Sequence, residues 1–103
     1  MKLGTVIGTV VASRKEPNMD ALKILVVRFL NADLQETKVT AACADTVSAG
    51  PGDVVLCVSS SSARGTAATK HACVDHTIIG IVDTVSAGKS ELYSKRTIMG
   101  GRE

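Results

Sequence analysis

A chain of 103 residues makes one domain at about 100–200 residues per domain, with room for a single modest core. Apolar residues make up 45% of it, but Phe29 and Tyr93 are the only aromatics and tryptophan is absent, so that core is built from Val, Ile, Leu and Ala. Twelve Lys and Arg against ten Asp and Glu leave a net charge of +2 with no long basic run, which excludes strong electrostatic capture of nucleic acid.

The opening Met1-Lys2-Leu3-Gly4 turns polar too soon for a signal peptide. No apolar run approaches the ~18–20 residues that cross a bilayer. The chain therefore reads as cytoplasmic, with no membrane partner. Leu3 to Ala12, rich in Val, Ile and Thr without a helical stripe, predicts a first strand. Gly4 and Gly8 fall on the same face as Val6 and Val10; glycine inside a strand marks a bend, a bulge or the close approach of another backbone. After the polar connection Ser13 to Asp20 come strands from Leu22 to Leu30, Lys38 to Ala44, Asp53 to Val58 and Thr77 to Val85, with a short sixth from Glu91 to Tyr93. Only Ser62 to Lys70, with Ala63, Ala67 and Ala68, has the composition for a turn or two of helix.

Turn chemistry supports this division. Ala49-Gly50-Pro51-Gly52-Asp53 places proline and then glycine where a type II turn needs a fixed negative φ followed by a positive one. Asp45-Thr46-Val47-Ser48-Ala49-Gly50 recurs unchanged as Asp83-Thr84-Val85-Ser86-Ala87-Gly88, which predicts two equivalent strand exits into glycine turns. Two copies fall short of a solenoid.

A sheet with one side in water alternates apolar and polar residues. Here both faces are apolar. Leu22, Ile24, Val26 and Leu30 oppose Leu25, Val27 and Phe29; Val54, Leu56 and Val58 oppose Val55 and Cys57; Ile79, Ile81 and Val85 oppose Ile78 and Val82. One face fills the inside of a small barrel, and no helices are available to cover the other. The expected architecture is all-β, a five- to six-stranded OB-like barrel with one short helix, its outer apolar face packed against copies of itself.

Chemistry-bearing groups are few. Cys43, Cys57 and Cys73 form an odd set without CxxC and read as reduced, mostly buried thiols. His71, Cys73 and His76 match no established tetrahedral ligand spacing, and no nucleophile elbow or oxyanion loop accompanies Cys73, Asp75 and His76, so neither a metal nor catalysis is expected. Two aromatics cannot supply the stacking platforms of a single-strand binder. The alternatives to a structural role are nonetheless an OB-type single-stranded nucleic-acid-binding module and a small His/Cys metal-binding protein. Ser59-Ser60-Ser61-Ser62-Ala63-Arg64-Gly65 has two readings. It is a polar loop, or its small hydroxyl side chains line a narrow opening at a symmetry axis while Arg64 makes a charge-assisted contact across a subunit boundary.

Taken in order, several segments resemble the pentameric vertex proteins of bacterial microcompartments, the EutN/CcmL family. They are Met1-Lys2-Leu3 with Gly8, Asp45, Ala49-Gly50-x-Gly52-Asp53-x-Val55-Leu56, Ser61-Ser62-Ala63-Arg64, Val74-Asp75 and Ile79-Gly80-Ile81-Val82-Asp83. The resemblance covers residues 1–93 as one domain and leaves 94–103 as a tail. Ser60 and Cys73 stand where the family commonly has glycine and proline. What the resemblance implies is a homo-pentamer around a narrow axial pore, capping the vertices of an icosahedral shell in the cytoplasm, with neither catalysis nor cofactor. The implied partners are further copies of itself and hexameric shell proteins. Carried over to this sequence, Gly50, Gly52, Ser61, Ser62, Ala63 and Arg64 are expected at the pore rim or subunit boundary, supported by Val74, Asp75 and Asp83.

Overall fold

The computed structural model describes residues 1–11, 23–59, 65, 66, 69, 75–87 and 90–94. Among them lie seven strands: β1 (Lys2–Val10), β2 (Lys23–Leu30), β3 (Glu36–Asp45), β4 (Val54–Ser59), β5 (His76–Ile81), β6 (Thr84–Ala87) and β7 (Ser90–Ser94). The first five close into a barrel in the order β1-β2-β3-β5-β4, and β6 and β7 make a separate two-stranded sheet. All barrel neighbours are antiparallel except β3 and β5, which run parallel over Ala44↔Thr77 and Asp45↔Ile78. This is the Greek-key barrel of the OB type. No helix occurs among the described residues. The segment expected to be helical, 62–70, lies mostly outside them; Thr69 donates its N–H to the Thr66 carbonyl at 3.3 Å, closing one tight turn.

Every second residue of the barrel strands points inward. Val6, Leu25, Val27, Val55 and Ile78 are fully buried, and Phe29 joins them; each such side chain withdrawn from water stabilises the fold by about 1.5–3 kcal/mol. Each side of the barrel wall with a register shift gains curvature there. Val6 pairs with Val27 but Gly8 pairs with Val26, so Ile7 is an extra residue in β1. The β2–β3 ladder shifts between Arg28 and Leu30, where the Thr37 hydroxyl donates to the Phe29 carbonyl at 2.8 Å. The β4–β5 ladder shifts between Leu56 and Cys57. Bulges of this kind add the local twist that lets a narrow sheet close on itself.

The bulge at Ile7 corrects the facing expected from regular alternation. Gly8 and Val10 share the outer face with their partners Val26 and Ile24, opposite to Val6. The two glycines also do different things. A Cβ on Gly4 would overlap Val27 Cγ1 and stand 3.0 Å from the Arg28 carbonyl oxygen, whereas one on Gly8 would meet nothing within 4 Å.

Two further expectations are corrected. Thr77 to Val85 is not one strand. Val82 makes a last bond to the wall, donating to the Val54 carbonyl at 2.8 Å; β4 begins at Val54, so no partner exists beyond it, and the chain bends at Asp83 into β6. The repeated hexapeptide is likewise not used equivalently. In the first copy Asp45 ends β3, its Oδ1 accepts the Val47 N–H at 3.0 Å, and the Thr46 hydroxyl donates to the Ile78 carbonyl at 2.8 Å. In the second copy Thr84–Ala87 is a strand paired with β7.

Cys43 and Cys57 are free thiols inside the barrel. Hydrogen bonding to Cys57, with burial adding to it, holds the Cys43 thiol far above the ordinary range. The two residues stand on strands separated by β5. At about 4.8 Å per strand spacing, their Cα atoms are about 8–10 Å apart, beyond the ~7 Å that a disulfide spans without moving the backbone.

Two measurements check this packing. Gly4→Ala should lower the unfolding free energy by about 1–3 kcal/mol, while Gly8→Ala should leave it within about 0.5 kcal/mol, as read from denaturant titrations of both variants. Alkylation followed by peptide mapping should find Cys43 and Cys57 unmodified in the native protein and modified after unfolding. A Cys43–Cys57 linked peptide after mild oxidation would contradict the geometry.

Candidate assembly surface

Because β1, β3 and β5 run one way and β2 and β4 the other, the barrel has two chemically distinct ends. One is formed by the start of β1, the end of β2, the end of β4 and the start of β5, where Ser59 pairs with His76. Phe29 closes it. The Lys2 ammonium lies 4.9 Å from the centre of the Phe29 ring, and the His76 imidazole packs 5.6 Å from that ring at 50°; a cation over an aromatic face contributes about 0.5–1 kcal/mol at an exposed site. Beside it runs a groove of about 430 Å³ lined by Met1, Leu3, Leu30, Thr37 and Val39 among others.

The segment 46–53 closes the opposite end. Ala49 is buried there, and the Lys23 ammonium donates to the Ala49 carbonyl at 3.1 Å. Pro51 and Gly52 form the expected turn: Asp53 N–H donates to the Gly50 carbonyl at 3.0 Å and Gly52 has φ 89°. That region is open to glycine and strained for other residues. The turn is fastened twice more. Gly50 N–H donates to Asp53 Oδ2 at 2.9 Å, and Gly52 N–H donates to the Val6 carbonyl at 2.8 Å.

Of the nine residues predicted for the site, the four among the described residues are divided between the two ends of the barrel. Gly50, Gly52 and Asp83 belong to the end closed by 46–53, since Val82 is bonded to Val54 there. Asp75 precedes β5 at the other end, where β4 also delivers the chain into residue 60. Both aspartates are exposed. Ser61, Ser62, Ala63, Arg64 and Val74 lie outside the described residues, as do His71 and Cys73 of the metal reading. No three His, Cys, Asp or Glu side chains converge among the described residues. Phe29, taken up by Lys2 and His76, offers no open face to a base.

What the structure does present is an apolar outer wall. Leu25 and Ile78 point into the barrel and are fully buried, whereas Ile24 and Ile79 remain half-buried. Across β1, β2 and β3 the outward rows are Val10–Ile24–Ala44, in which Ala44 is already buried within the chain, and Gly8–Val26–Ala42, followed by Thr5–Arg28–Thr40. Ile7 and Val11 add exposed apolar surface beside them. Elsewhere the chain covers its own wall. β6 and β7 bring Leu92 and Tyr93 to a groove of about 340 Å³ that they share with Thr5, Leu30 and Val54, and Val54, though outward, is only 8% exposed. Sequence reasoning anticipated the greasy outer face but not this hairpin, and it missed Arg28. That side chain lies in the third outward row with its Nε buried and without an acceptor among the described residues, while one Nη touches Glu36 at 3.5 Å. The exposed contact is worth little.

The chain is similar to known proteins over nearly all its length. Residues 1–83 match the family model described as ethanolamine utilisation protein EutN/carboxysome. The carboxysome shell vertex protein CcmL of Gloeobacter violaceus is 41% identical over 96 residues, covering 93% of this chain and 96% of that protein. Its solved structure aligns with a TM-score of 0.89 over 93% of this chain and 99% of its own. A GrpN pentameric microcompartment shell protein from Rhodospirillum rubrum is 39% identical with a TM-score of 0.75, covering 86% of this chain and 100% of that one. Barrel, outer wall and likeness agree, and this chain belongs to the EutN/CcmL family.

Proposed function

We propose that this protein is a structural shell component which forms a homo-pentamer and caps the vertices of a bacterial microcompartment in the cytoplasm, with hexameric shell proteins as its outer neighbours. The observation that carries this reading is the outer wall of β1–β2–β3, apolar on a barrel whose inside is already full. Ring members bury flanks of this kind against copies of themselves. The whole-length likeness to shell vertex proteins supports it. The function is geometric. A flat sheet of six-fold tiles cannot close, and five-fold pieces at its corners supply the missing curvature.

Within that ring the two barrel ends have different tasks. The segment leaving β4 carries Ser61, Ser62, Ala63 and Arg64, and with Val74 and Asp75 it forms the rim of the axial opening, where small hydroxyl side chains allow several chains to approach. Gly50, Gly52 and Asp83, at the opposite end, stand at the subunit boundary. The shell role calls for no catalytic group and no cofactor, and residues 1–93 form the functional domain with 94–103 as its tail.

Native mass spectrometry at micromolar concentration should give a five-chain species, and negative-stain images should show rings with five-fold symmetry. A stable monomer under those conditions would sink the reading.

A further inference from the structure

The ring reading leaves open which part of the chain meets its neighbour. Three observations bear on it. The outward rows Val10–Ile24–Ala44 and Gly8–Val26–Ala42 hold no charged side chain, and charges begin only at their edge with Arg28 and its neighbour Glu36, although the chain has 22 charged side chains in all, twelve basic and ten acidic. Gly8 and Ala42 flank Val26 on either side, so the centre of the wall is low enough for another backbone to come close. Arg28 Nε is shut away from water with no acceptor among the described residues, and a buried guanidinium N–H left unpaired is costly.

Charge depletion and small residues at the centre mark permanent contacts between like chains rather than passing contacts with a different partner, which are more polar. A ring with cyclic symmetry also uses two different flanks of each copy, so this wall packs against another surface of the next chain and not against itself.

We propose that the outer wall of β1–β2–β3 centred on Val26 is the flank by which one copy packs on a second copy, and that Arg28 donates its Nε–H to an oxygen of that neighbour. The inference rests on the ring reading above.

Ala42 is already exposed in the single chain and Val10 partly so, so Ala42→Glu and Val10→Glu leave folding intact. Both should yield monomers by native mass spectrometry, with far-UV circular dichroism unchanged. Val39→Glu, on an exposed part of β3 away from this wall, should keep the ring. Arg28→Ala should raise the concentration at which the ring dissociates, because the neighbour's oxygen loses its donor; the penalty for an unpaired buried group corresponds to about tenfold or more. A wild-type ring that persists unchanged in both Ala42→Glu and Val10→Glu would overturn this inference and leave the pentamer standing. A wild-type protein that never leaves the monomer would overturn both.

Discussion

Five strands wound into a barrel enclose one layer of side chains and no more. That limit governs everything else in this molecule. Val6, Leu25, Val27, Phe29, Val55, Cys57 and Ile78 use up the interior, and the strands that carry them hold almost as many apolar residues on the other side. A larger sheet would place helices there. Among the described residues the β6–β7 hairpin takes the stretch around Thr5 and Val54, and much of the wall around Val10, Val26 and Ala42 stays open to whatever adjoins the subunit.

The shape of the wall follows from its irregularities as much as from its strands. Ile7 interrupts β1, and beyond it the residues exchange faces, so that Gly8 and Val10 come to lie beside Val26 and Ile24. Without that interruption the outer wall would lose its central row and the interior would receive side chains it cannot hold. Gly4, before the bulge, admits Val27. One extra residue thus sorts a uniformly apolar strand into an inside and an outside.

Much of this was legible in the residues. The strands from Leu22 to Leu30 and Asp53 to Val58 and the Pro51-Gly52 turn could be read because β-branched composition and proline–glycine geometry act locally. The doubly apolar faces could be read because they break the alternation that water imposes. The bulge could not, since a Val-Ile-Gly run satisfies regular and bulged pairing equally and the partner strand decides. Nor could the fate of the repeated hexapeptide. Asp45–Gly50 is held over a barrel end by the bonds of Lys23 to Ala49 and of Thr46 to Ile78, while Thr84–Ala87 is drawn straight by β7. Identical residues meet different neighbours, and tertiary contacts override local preference. Arg28 escaped notice because its burial depends on the fold around it and on nothing in its flanking sequence.

The parallel seam between β3 and β5 has a consequence of its own. It joins the wall through Ala44↔Thr77 and Asp45↔Ile78, with the Thr46 hydroxyl bonded to Ile78 as a rivet beside them, whereas β2 is laced to β3 from Lys23 to Leu30. Mechanical load on such a cylinder is shared unequally. Stiffness is concentrated in the three-stranded plate β1–β2–β3, and compliance along the seam at its β3 edge. A corner piece built in this way keeps its mating flank rigid and takes up misfit along that edge.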